Sequence, residues 1–248
     1  MMSEFNNVNK AAPLRNVAAF SILIKEVVER DLALPGMAVF SGPSGYGKTK
    51  AAIKGANAYR AAYVECHQLT TARSLLKSIL EELGVQKPKG TATDMLDEAI
   101  RLMAGDIRRP IIIDEVHHIA HKKFVDVARA LHDKSMAPVI LIGEETLPKQ
   151  LEAFERVHNR ILSWVQAEPC DLTDFAHLAR LMCPGVSIAG DLAQALIDRT
   201  RGNTRRIAVN LSQIDQRARR ESLDAIDLEG FGGVAAIRTG QAPARRLV

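Results

Sequence analysis

Short apolar runs alternate with longer amphipathic stretches along the first two thirds of the chain. Five of the runs have the length and composition of buried strands. They cover residues 37–41, 61–65, 111–113, 138–142 and 163–167. Apolar strands separated by helical stretches are typical of a parallel sheet that is covered on both faces, so the pattern predicts an α/β fold.

The stretches between these runs predict helices, because their apolar residues recur at helical spacing. The predicted helices cover residues 48–60, 70–83, 94–104, 124–132 and 147–160. In residues 70–83 the leucines and the isoleucine share one face, and Gly84 follows as a typical C-terminal stop. We interpret that face as core.

The pattern changes after Pro169, where no further strand-like run occurs. Helices are predicted at residues 173–182, 188–200, 204–219 and 222–227. The expected domains are an α/β core with a short N-terminal extension at residues 1–169, a small helical domain at residues 170–229 and a flexible basic tail at residues 230–248.

The net charge of +4 over 248 residues does not by itself indicate a polyanionic partner. Arginine is nevertheless concentrated towards the C-terminal end, where acids are few. These arginines are Arg199, Arg201, Arg205, Arg206, Arg217, Arg219, Arg220, Arg238, Arg245 and Arg246. Phosphate binding and a solvated helix face both account for this distribution.

The sequence contains neither a membrane-spanning pattern nor a disulfide pattern. No run of about 18 uncharged apolar residues occurs, and residues 1–9 lack the features of a signal peptide. The three cysteines, Cys66, Cys170 and Cys183, lie far apart and form no CxxC pair, which favours structural burial over a disulfide framework or a zinc site. We therefore expect a cytoplasmic protein without a membrane partner.

Residues 42–49 form a glycine-rich turn between a predicted strand and a predicted helix. They are Gly42, Pro43, Ser44, Gly45, Tyr46, Gly47, Lys48 and Thr49, which fit GxxxxGK(S/T) without a gap. In such a loop backbone N–H groups surround phosphate oxygens, the lysine reaches the β and γ phosphates, and the hydroxyl binds Mg²⁺. The turn therefore predicts a site for ATP and Mg²⁺.

Two adjacent acids, Asp114 and Glu115, follow the most apolar strand of the chain. The end of that strand lies at the carboxyl edge of the predicted sheet, beside the phosphate loop. Asp114 is the candidate to hold Mg²⁺ with Thr49, and Glu115 is the candidate to orient and polarise the attacking water. An ordinary strand followed by an acidic turn is the alternative, and the phosphate loop earlier in the chain favours the catalytic interpretation.

Two arginines, Arg156 and Arg160, are one helical turn apart at the end of the predicted helix 147–160. An arginine that a neighbouring subunit supplies to the γ phosphate accelerates hydrolysis by roughly 10³- to 10⁵-fold. Either arginine fits that catalytic role, and either fits a surface ion pair.

Further candidates lie outside these motifs. Arg205, near the start of a predicted helix, is placed to contact the nucleotide and so to couple ATP binding to a change between domains, while a DNA contact is the alternative. His117, His118 and His121 resemble a metal-binding spacing, but no cysteine or carboxylate cluster lies near them except Asp114 and Glu115, which are already assigned, so packing or surface exposure is favoured.

The order of these features resembles that of the AAA+ ATPases of the initiator-like branch. Finer details are similar to the transposition-regulator ATPases, a group that includes the phage Mu B protein and its TnsC and TniB relatives. Those details are Val64-Glu65-Cys66 followed by Thr70 and Thr71, the leucine-rich helix that ends at Leu83-Gly84, the run Asp114 to His118 and residues 141–144. The resemblance covers residues 13–220.

The resemblance implies a P-loop core with a five-stranded parallel sheet in the order 5-1-4-3-2 and a C-terminal helical lid. It also implies an ATPase that assembles with itself as a ring or helical filament on duplex DNA without sequence preference, and that activates target DNA for a transposase in a bacterial or phage-infected cytoplasm. This chain departs from the common AAA+ pattern at Gly143-Glu144, where many members carry a polar sensor residue. A helix-turn-helix domain like that of the Mu B protein does not fit before Pro13.

Contacts with DNA phosphates are assigned to four basic residues, Arg73, Lys77, Lys122 and Lys123. Three other functions share part of the pattern. A small-molecule kinase shares the phosphate loop, but the acid pair and residues 202–206 argue against it. A molecular switch such as a helicase loader or a secretion-associated ATPase shares every motif, and a DNA scaffold with a silent nucleotide site is disfavoured by Lys48, Thr49, Asp114 and Glu115.

Overall fold

A five-stranded parallel sheet forms the centre of the fold in a computed structural model that describes residues 14–120 and 124–241. The strands are β1 (Met37–Ser41), β2 (Ala62–Glu65), β3 (Ile111–Asp114), β4 (Val139–Gly143) and β5 (Ile161–Gln166). Their order is β2-β3-β4-β1-β5, and every pair is parallel. The order is 5-1-4-3-2 read from the other edge, so the predicted fold class and strand order are confirmed.

The burial of each strand follows its place in the sheet. All residues of β1, β3 and β4 are buried, as expected for central strands that are covered on both faces. The edge strands β2 and β5 include exposed or half-buried positions, among them Trp164, which is 37% exposed. Trp164 is therefore not the core residue that its hydrophobicity suggests.

Helices cover both faces of the sheet. They are α1 (Arg15–Glu29), α2 (Lys48–Tyr59), α3 (Ala72–Glu82), α4 (Ala92–Ala104), α5 (His117–Ala120), α6 (Val125–Ser135), α7 (Leu147–Glu152) and α8 (Glu155–His158). On one face, side chains of α3, α4 and α6 join those of the strands in one apolar cluster. On the other, Phe20 of α1 packs edge-on against Phe40 of β1, with ring centroids 5.4 Å apart.

Helix α1 is not among the predicted elements, although its buried residues Phe20, Leu23, Ile24 and Val27 recur at helical spacing. Helices α3 and α4 each begin with a capping box, formed by Thr71 with Ser74 and by Thr91 with Asp94.

The helix predicted at residues 147–160 is wrong as a single element. It consists of the short helices α7 and α8, separated at Phe154, whose φ of −116° and ψ of 70° lie outside the helical region. Phe154 packs against the apolar cluster, so its burial takes precedence over a continuous helix. Arg160 consequently lies after the end of α8, in the turn before β5.

The chain divides into two compact units. The unit that contains the sheet comprises Asn16–Pro43 and Lys48–Ala167, and the other comprises Met1–Arg15, Ser44–Gly47 and Glu168–Val248. The helices of the second unit are α9 (Leu172–Met182), α10 (Gly190–Thr200), α11 (Thr204–Glu221) and α12 (Leu228–Phe231), followed by a 3-10 helix at Val234–Ala236.

Two details of this second unit correct the sequence-based prediction. Strands β6 (Ser187–Ile188) and β7 (Ala225–Ile226) form a short parallel pair, whereas no strand is predicted there. The helix predicted at residues 222–227 does not form, because Ser222 adopts a left-handed conformation, with φ 53°, and ends α11.

Some of the sequence-based assignments concern residues outside the described part of the chain. These residues are 1–13 in the N-terminal extension, His121, Lys122, Lys123 and the end of the basic tail, residues 242–248. Among the described residues, no helix is both long enough and apolar enough to cross a membrane.

Candidate nucleotide-binding site

The glycine-rich loop leaves the C-terminal end of β1 and leads into α2. Gly42, Gly45 and Gly47 all have positive φ values, of 152°, 86° and 84°. At Gly42 space is limiting as well, because a Cβ atom there would lie 2.9 Å from the Cβ of Ala167. The loop thus takes a path that side chains at these positions would oppose.

The Lys48 side chain is enclosed by this loop and is only 7% exposed. Its Nζ donates hydrogen bonds to the carbonyl oxygens of Gly42 at 2.6 Å and Pro43 at 3.0 Å. Burial lowers the pKa of Lys48, while the neighbouring carboxylates of Glu115 and Asp114 act in the opposite direction. An ammonium group held within a loop of this shape is positioned to meet phosphate oxygens.

Asp114 is fully buried at the end of β3 and accepts three hydrogen bonds. Its Oδ2 accepts from Thr49 Oγ1 and from the Tyr63 hydroxyl, both at 2.9 Å, and its Oδ1 accepts from the Glu115 N–H at 2.8 Å. The structure thereby brings together Thr49 and Asp114, the two residues assigned to Mg²⁺. Hard oxygen ligands of this kind are those that Mg²⁺ prefers.

Tyr63 is a member of this cluster that the sequence analysis does not include. Glu65 of β2 pairs with Asp114 of β3, and Tyr63 lies two residues earlier on β2, hence on the same face of the strand. Burial raises the pKa of Tyr63, and the charge of Asp114 raises it further, so the hydroxyl remains a donor. Tyr63 reaches Asp114 because of the register in which β2 pairs with β3. A single sequence does not give that register, so Tyr63 could not be assigned to the site from the sequence.

Glu115 adopts a left-handed backbone conformation with φ 56°, which is unfavourable for a residue with a side chain. Such conformations are concentrated at functional sites. Burial raises the pKa of Glu115 and the charge of Asp114 adds to the effect, while His117 and Lys48 oppose it. The Nδ1 atom of His117 lies 3.2 Å from Glu115 Oε2, which is the distance of an ion pair.

The described residues include one group of potential metal ligands at this place, Glu115, His117 and His118, whose ligand atoms all lie within 4.8 Å of one another. The two imidazole rings pack together with centroids 4.1 Å apart. The packing or surface role expected for these histidines stays a prediction.

Gly143, at the end of β4, stands where a polar sensor is common. A Cβ atom at this position would lie 2.8 Å from Leu147 Cδ2, so a larger side chain would displace Leu147. The next residue, Glu144, is about half exposed, and its Oε1 lies 4.0 Å from His117 Nε2. In the described structure, the polar side chain at the end of β4 is therefore that of Glu144, one residue after Gly143.

Within the second unit, residues 44–47 make several contacts with the segment that begins α11. Asn203 Nδ2 donates to the carbonyl of Ser44 at 2.8 Å, and the Arg205 N–H donates to the carbonyl of Gly45 at 3.0 Å. Asn203 also caps α11 by accepting from the Arg206 N–H at 3.2 Å. The side chain of Arg205 is exposed.

The two candidate finger arginines are not equivalent. Arg156 lies on the exposed side of α8, whereas Arg160 lies beyond that helix and donates from Nε to Asp133 Oδ1 at 2.7 Å. Within residues 14–120 and 124–241, neither forms a hydrogen bond or ion pair with Lys48, Thr49, Asp114 or Glu115.

Of the residues assigned to DNA, Arg73 and Lys77 are exposed one turn apart on α3. Arg73 donates to the carbonyl of Gly90 at 3.1 and 3.3 Å, and Lys77 Nζ lies 3.6 Å from Glu81. The other two, Lys122 and Lys123, are outside the described residues.

Comparison with known proteins gives one match to a protein family. Residues 32–151 match the AAA domain. The AAA match includes Lys48, Thr49, Asp114 and Glu115, and it ends before Arg156, Arg160 and Arg205. No curated protein sequence matches the chain significantly.

Solved structures of AAA+ P-loop ATPases have the same fold. The Orc1 protein of Aeropyrum pernix in complex with DNA matches with a TM-score of 0.59 and 18% identity, over 89% of this chain and 64% of that one. The ORC2 protein of the same organism, in ADPNP and ADP complexes, matches with 0.65 and 16%, over 96% and 71%. Drosophila ORC bound to DNA matches with 0.64 and 17%, over 96% and 65%. The chain thus spans less than two thirds of the Orc1 and Drosophila ORC chains.

Proposed function

We propose that this chain is an ATPase that binds ATP with Mg²⁺, assembles on duplex DNA and regulates the use of target DNA in transposition. The observation that carries the ATPase part is the convergence of Thr49, Tyr63 and the Glu115 N–H on the buried carboxylate of Asp114, beside a loop that encloses Lys48. The AAA match over residues 32–151 supports the same conclusion.

The residues present fit a nucleoside triphosphate. The backbone N–H groups of residues 44–49 and the Lys48 ammonium supply positive charge to phosphate oxygens, and Thr49 with Asp114 supplies oxygen ligands for the cation. Thr49 and Asp114 would hold Mg²⁺, which would supply positive charge against that of the phosphates. Arg205 is proposed to contact the nucleotide through its exposed guanidinium.

Glu115 is the residue proposed to accept a proton from the attacking water. Its raised pKa moves it towards the range in which a carboxylate is an effective general base, and Asp114 remains directed at Thr49 and Tyr63. His117 lies 3.2 Å from the Glu115 carboxylate, and its charge opposes the rise in the pKa of Glu115. The two adjacent acids therefore have different roles because their surroundings differ.

DNA binding is proposed from two exposed basic residues and from the similar structures. Arg73 and Lys77 are exposed, one turn apart on α3, and both suit contacts to phosphate rather than to base edges. Two of the similar structures, those of Aeropyrum pernix Orc1 and Drosophila ORC, contain DNA. The transposase partner follows from the resemblance to the transposition regulators described above.

The first prediction combines nucleotide, DNA and assembly. Glu115→Gln protein is expected to bind ATP but to hydrolyse it slower by orders of magnitude, so that ATP-dependent assemblies on duplex DNA persist. Electron microscopy and a mobility-shift assay with ATP, with ADP and without nucleotide measure this directly. Affinity is expected to fall steeply with salt and to be independent of DNA sequence.

Three outcomes would contradict parts of this proposal. Equal DNA binding with and without ATP would remove the coupling between nucleotide and DNA. If neither the rate of ATP turnover nor the extent of self-assembly changed when DNA was added, a molecular switch such as a helicase loader or a secretion-associated ATPase would be favoured. An unchanged turnover rate in Glu115→Gln would exclude Glu115 as the base.

A further inference from the structure

Four side chains form a line of alternating charges that ends at Arg160. Arg129 donates to both carboxylate oxygens of Asp126, at 2.7 and 3.1 Å, and to Asp133 Oδ2 at 2.8 Å. Arg160 donates from Nε to the other oxygen, Asp133 Oδ1, at 2.7 Å. Each oxygen of Asp133 therefore has one arginine partner, and both are charge-assisted hydrogen bonds.

This arrangement fixes Arg160 at two places. Its carbonyl accepts from the Met37 N–H at 3.0 Å, which ties the backbone to the start of β1. Its Nε is held by Asp133, while within the described residues its two terminal nitrogens make no hydrogen bond and the side chain is 44% exposed. The free end of the guanidinium is the part that binds phosphate oxygens in pairs.

We propose that Asp133, itself held by Arg129, is a positioning residue that presents the terminal nitrogens of Arg160 to the nucleotide bound by a second copy of this chain. The proposal rests on the proposed ATPase and deepens it by naming which arginine acts between subunits and what holds it. Asp133 touches neither substrate nor cation, so its effect is exerted through Arg160.

The alternative finger, Arg156, lacks this support. It is exposed on a helix of four residues, and within residues 14–120 and 124–241 its charge acts on Asp126 but its side chain forms no hydrogen bond. An arginine side chain without a hydrogen bond loses rotamer entropy when it is ordered on a ligand, whereas Arg160 is already hydrogen-bonded to Asp133.

The charge state of Asp133 suits the role. Burial alone would raise its pKa, but hydrogen bonds from Arg160 and Arg129 outweigh burial and hold the pKa below its usual value. The carboxylate is therefore ionised at neutral pH and retains both arginines. Asp126, held by Arg129, is ionised for the same reason.

The first test is ATP turnover by the full chain carrying Asp133→Asn, which preserves size and removes the charge. A misplaced catalytic group costs about 10²-fold in rate, so kcat is expected to fall by about that factor while KM changes little. Asp215→Asn is the matched control, since Asp215 also binds one arginine, Arg219, at 2.9 Å and is 17% exposed against 22% for Asp133. The control is expected to retain wild-type turnover, and thermal unfolding of both variants checks that they fold.

The second test separates action between subunits from a defect within one subunit. Glu115→Gln protein is expected to bind ATP and to assemble without turning ATP over, and it keeps Arg160, so mixing it with Asp133→Asn protein is expected to restore turnover at the Asp133→Asn sites. Assembly with a non-hydrolysable ATP analogue, measured by sedimentation, is a readout apart from activity, and Asp133→Asn is expected to need a higher protein concentration.

Unchanged or increased turnover in Asp133→Asn, alongside an active wild-type protein, would overturn the positioning role. Loss of turnover that mixing does not restore would also overturn it, because the defect would then lie within one subunit. A wild-type protein without ATPase activity would instead refute the proposed function, and the two failures are thereby distinguished.

Discussion

Asp114 concentrates the chemistry of the site in one side chain, because three donors from β2, α2 and its own backbone neighbour meet on a carboxylate that has no exposure to solvent. Its position was predictable, since a strand that ends in an acid must bring that acid to the carboxyl edge of a parallel sheet. Tyr63 was not predictable, since its direction depends on how β2 aligns with β3. Local sequence motifs therefore identify the candidate Mg²⁺ ligands, whereas Tyr63, which donates to one of them, is identified only once the pairing of the strands is known.

At the same scale, His132 makes the stability of the fold sensitive to pH. It is 3% exposed, accepts from the Gly36 N–H at Nε2 and lies 2.9 Å from the Ala137 carbonyl through Nδ1, so the neutral ring uses both nitrogens. Burial lowers its pKa, and Arg30 and Arg160 add to that, while the contact with Ala137 and the charge of Asp133 oppose it. The unfolded chain therefore binds the proton more readily than the folded one.

We expect the free energy of unfolding to fall as pH drops below about 6.5, the usual pKa of histidine, because protonation then favours the unfolded chain. Urea unfolding of the wild type and of His132→Asn between neutral and mildly acidic pH measures the effect. His158→Asn, at an exposed position, is the control and should retain the wild-type pH dependence. If the free energy of unfolding of His132→Asn depended on pH as strongly as that of the wild type, a group other than His132 would cause the pH dependence.

Among the elements, the glycine-rich loop was the most predictable and the segment from α7 to α8 the least. The loop follows from its residues alone, since glycine accommodates the positive φ values of Gly42, Gly45 and Gly47. The helix predicted at residues 147–160 instead breaks at Phe154, because that side chain packs into the core. Helical periodicity does not reveal such a break. As a result, Arg156 and Arg160 are not on one continuous helix, because Arg160 lies after the end of α8.

A substitution within the loop tests the element directly. Gly42→Ala is expected to lower stability by about 1–3 kcal/mol, because the backbone has a φ of 152° and the new Cβ would lie 2.9 Å from Ala167. It is also expected to weaken ATP binding by displacing the loop. Gly84→Ala is the control, with a φ of 102° and no atom within 4 Å of the new Cβ, and it should lower stability without changing ATP binding. Calorimetric titration with ATP measures the binding. If both variants bound ATP as tightly as the wild type does, this account of the loop would be wrong.

For the whole molecule, apolar patterning identifies the five strands and the α/β class, and the strand order comes from the resemblance to AAA+ proteins rather than from the pattern. The order matters because it places β3 and β1 on either side of β4, which is how Asp114 reaches Thr49. The short pair β6 and β7 escapes prediction because two-residue strands carry no periodicity. The proposals on assembly and DNA all depend on nucleotide binding at this one place.

The most direct test of that central claim is calorimetric titration of ATP, with Mg²⁺ and with a chelator, into the wild type, Lys48→Ala and the control Lys54→Ala, whose lysine is exposed on the same helix. Loss of a hydrogen-bonding charge predicts about 10- to 100-fold weaker binding in Lys48→Ala, with hydrolysis abolished. Lys54→Ala should match the wild type, and the chelator should weaken binding through loss of the cation at Thr49 and Asp114. Normal ATP binding and hydrolysis by Lys48→Ala would contradict the account.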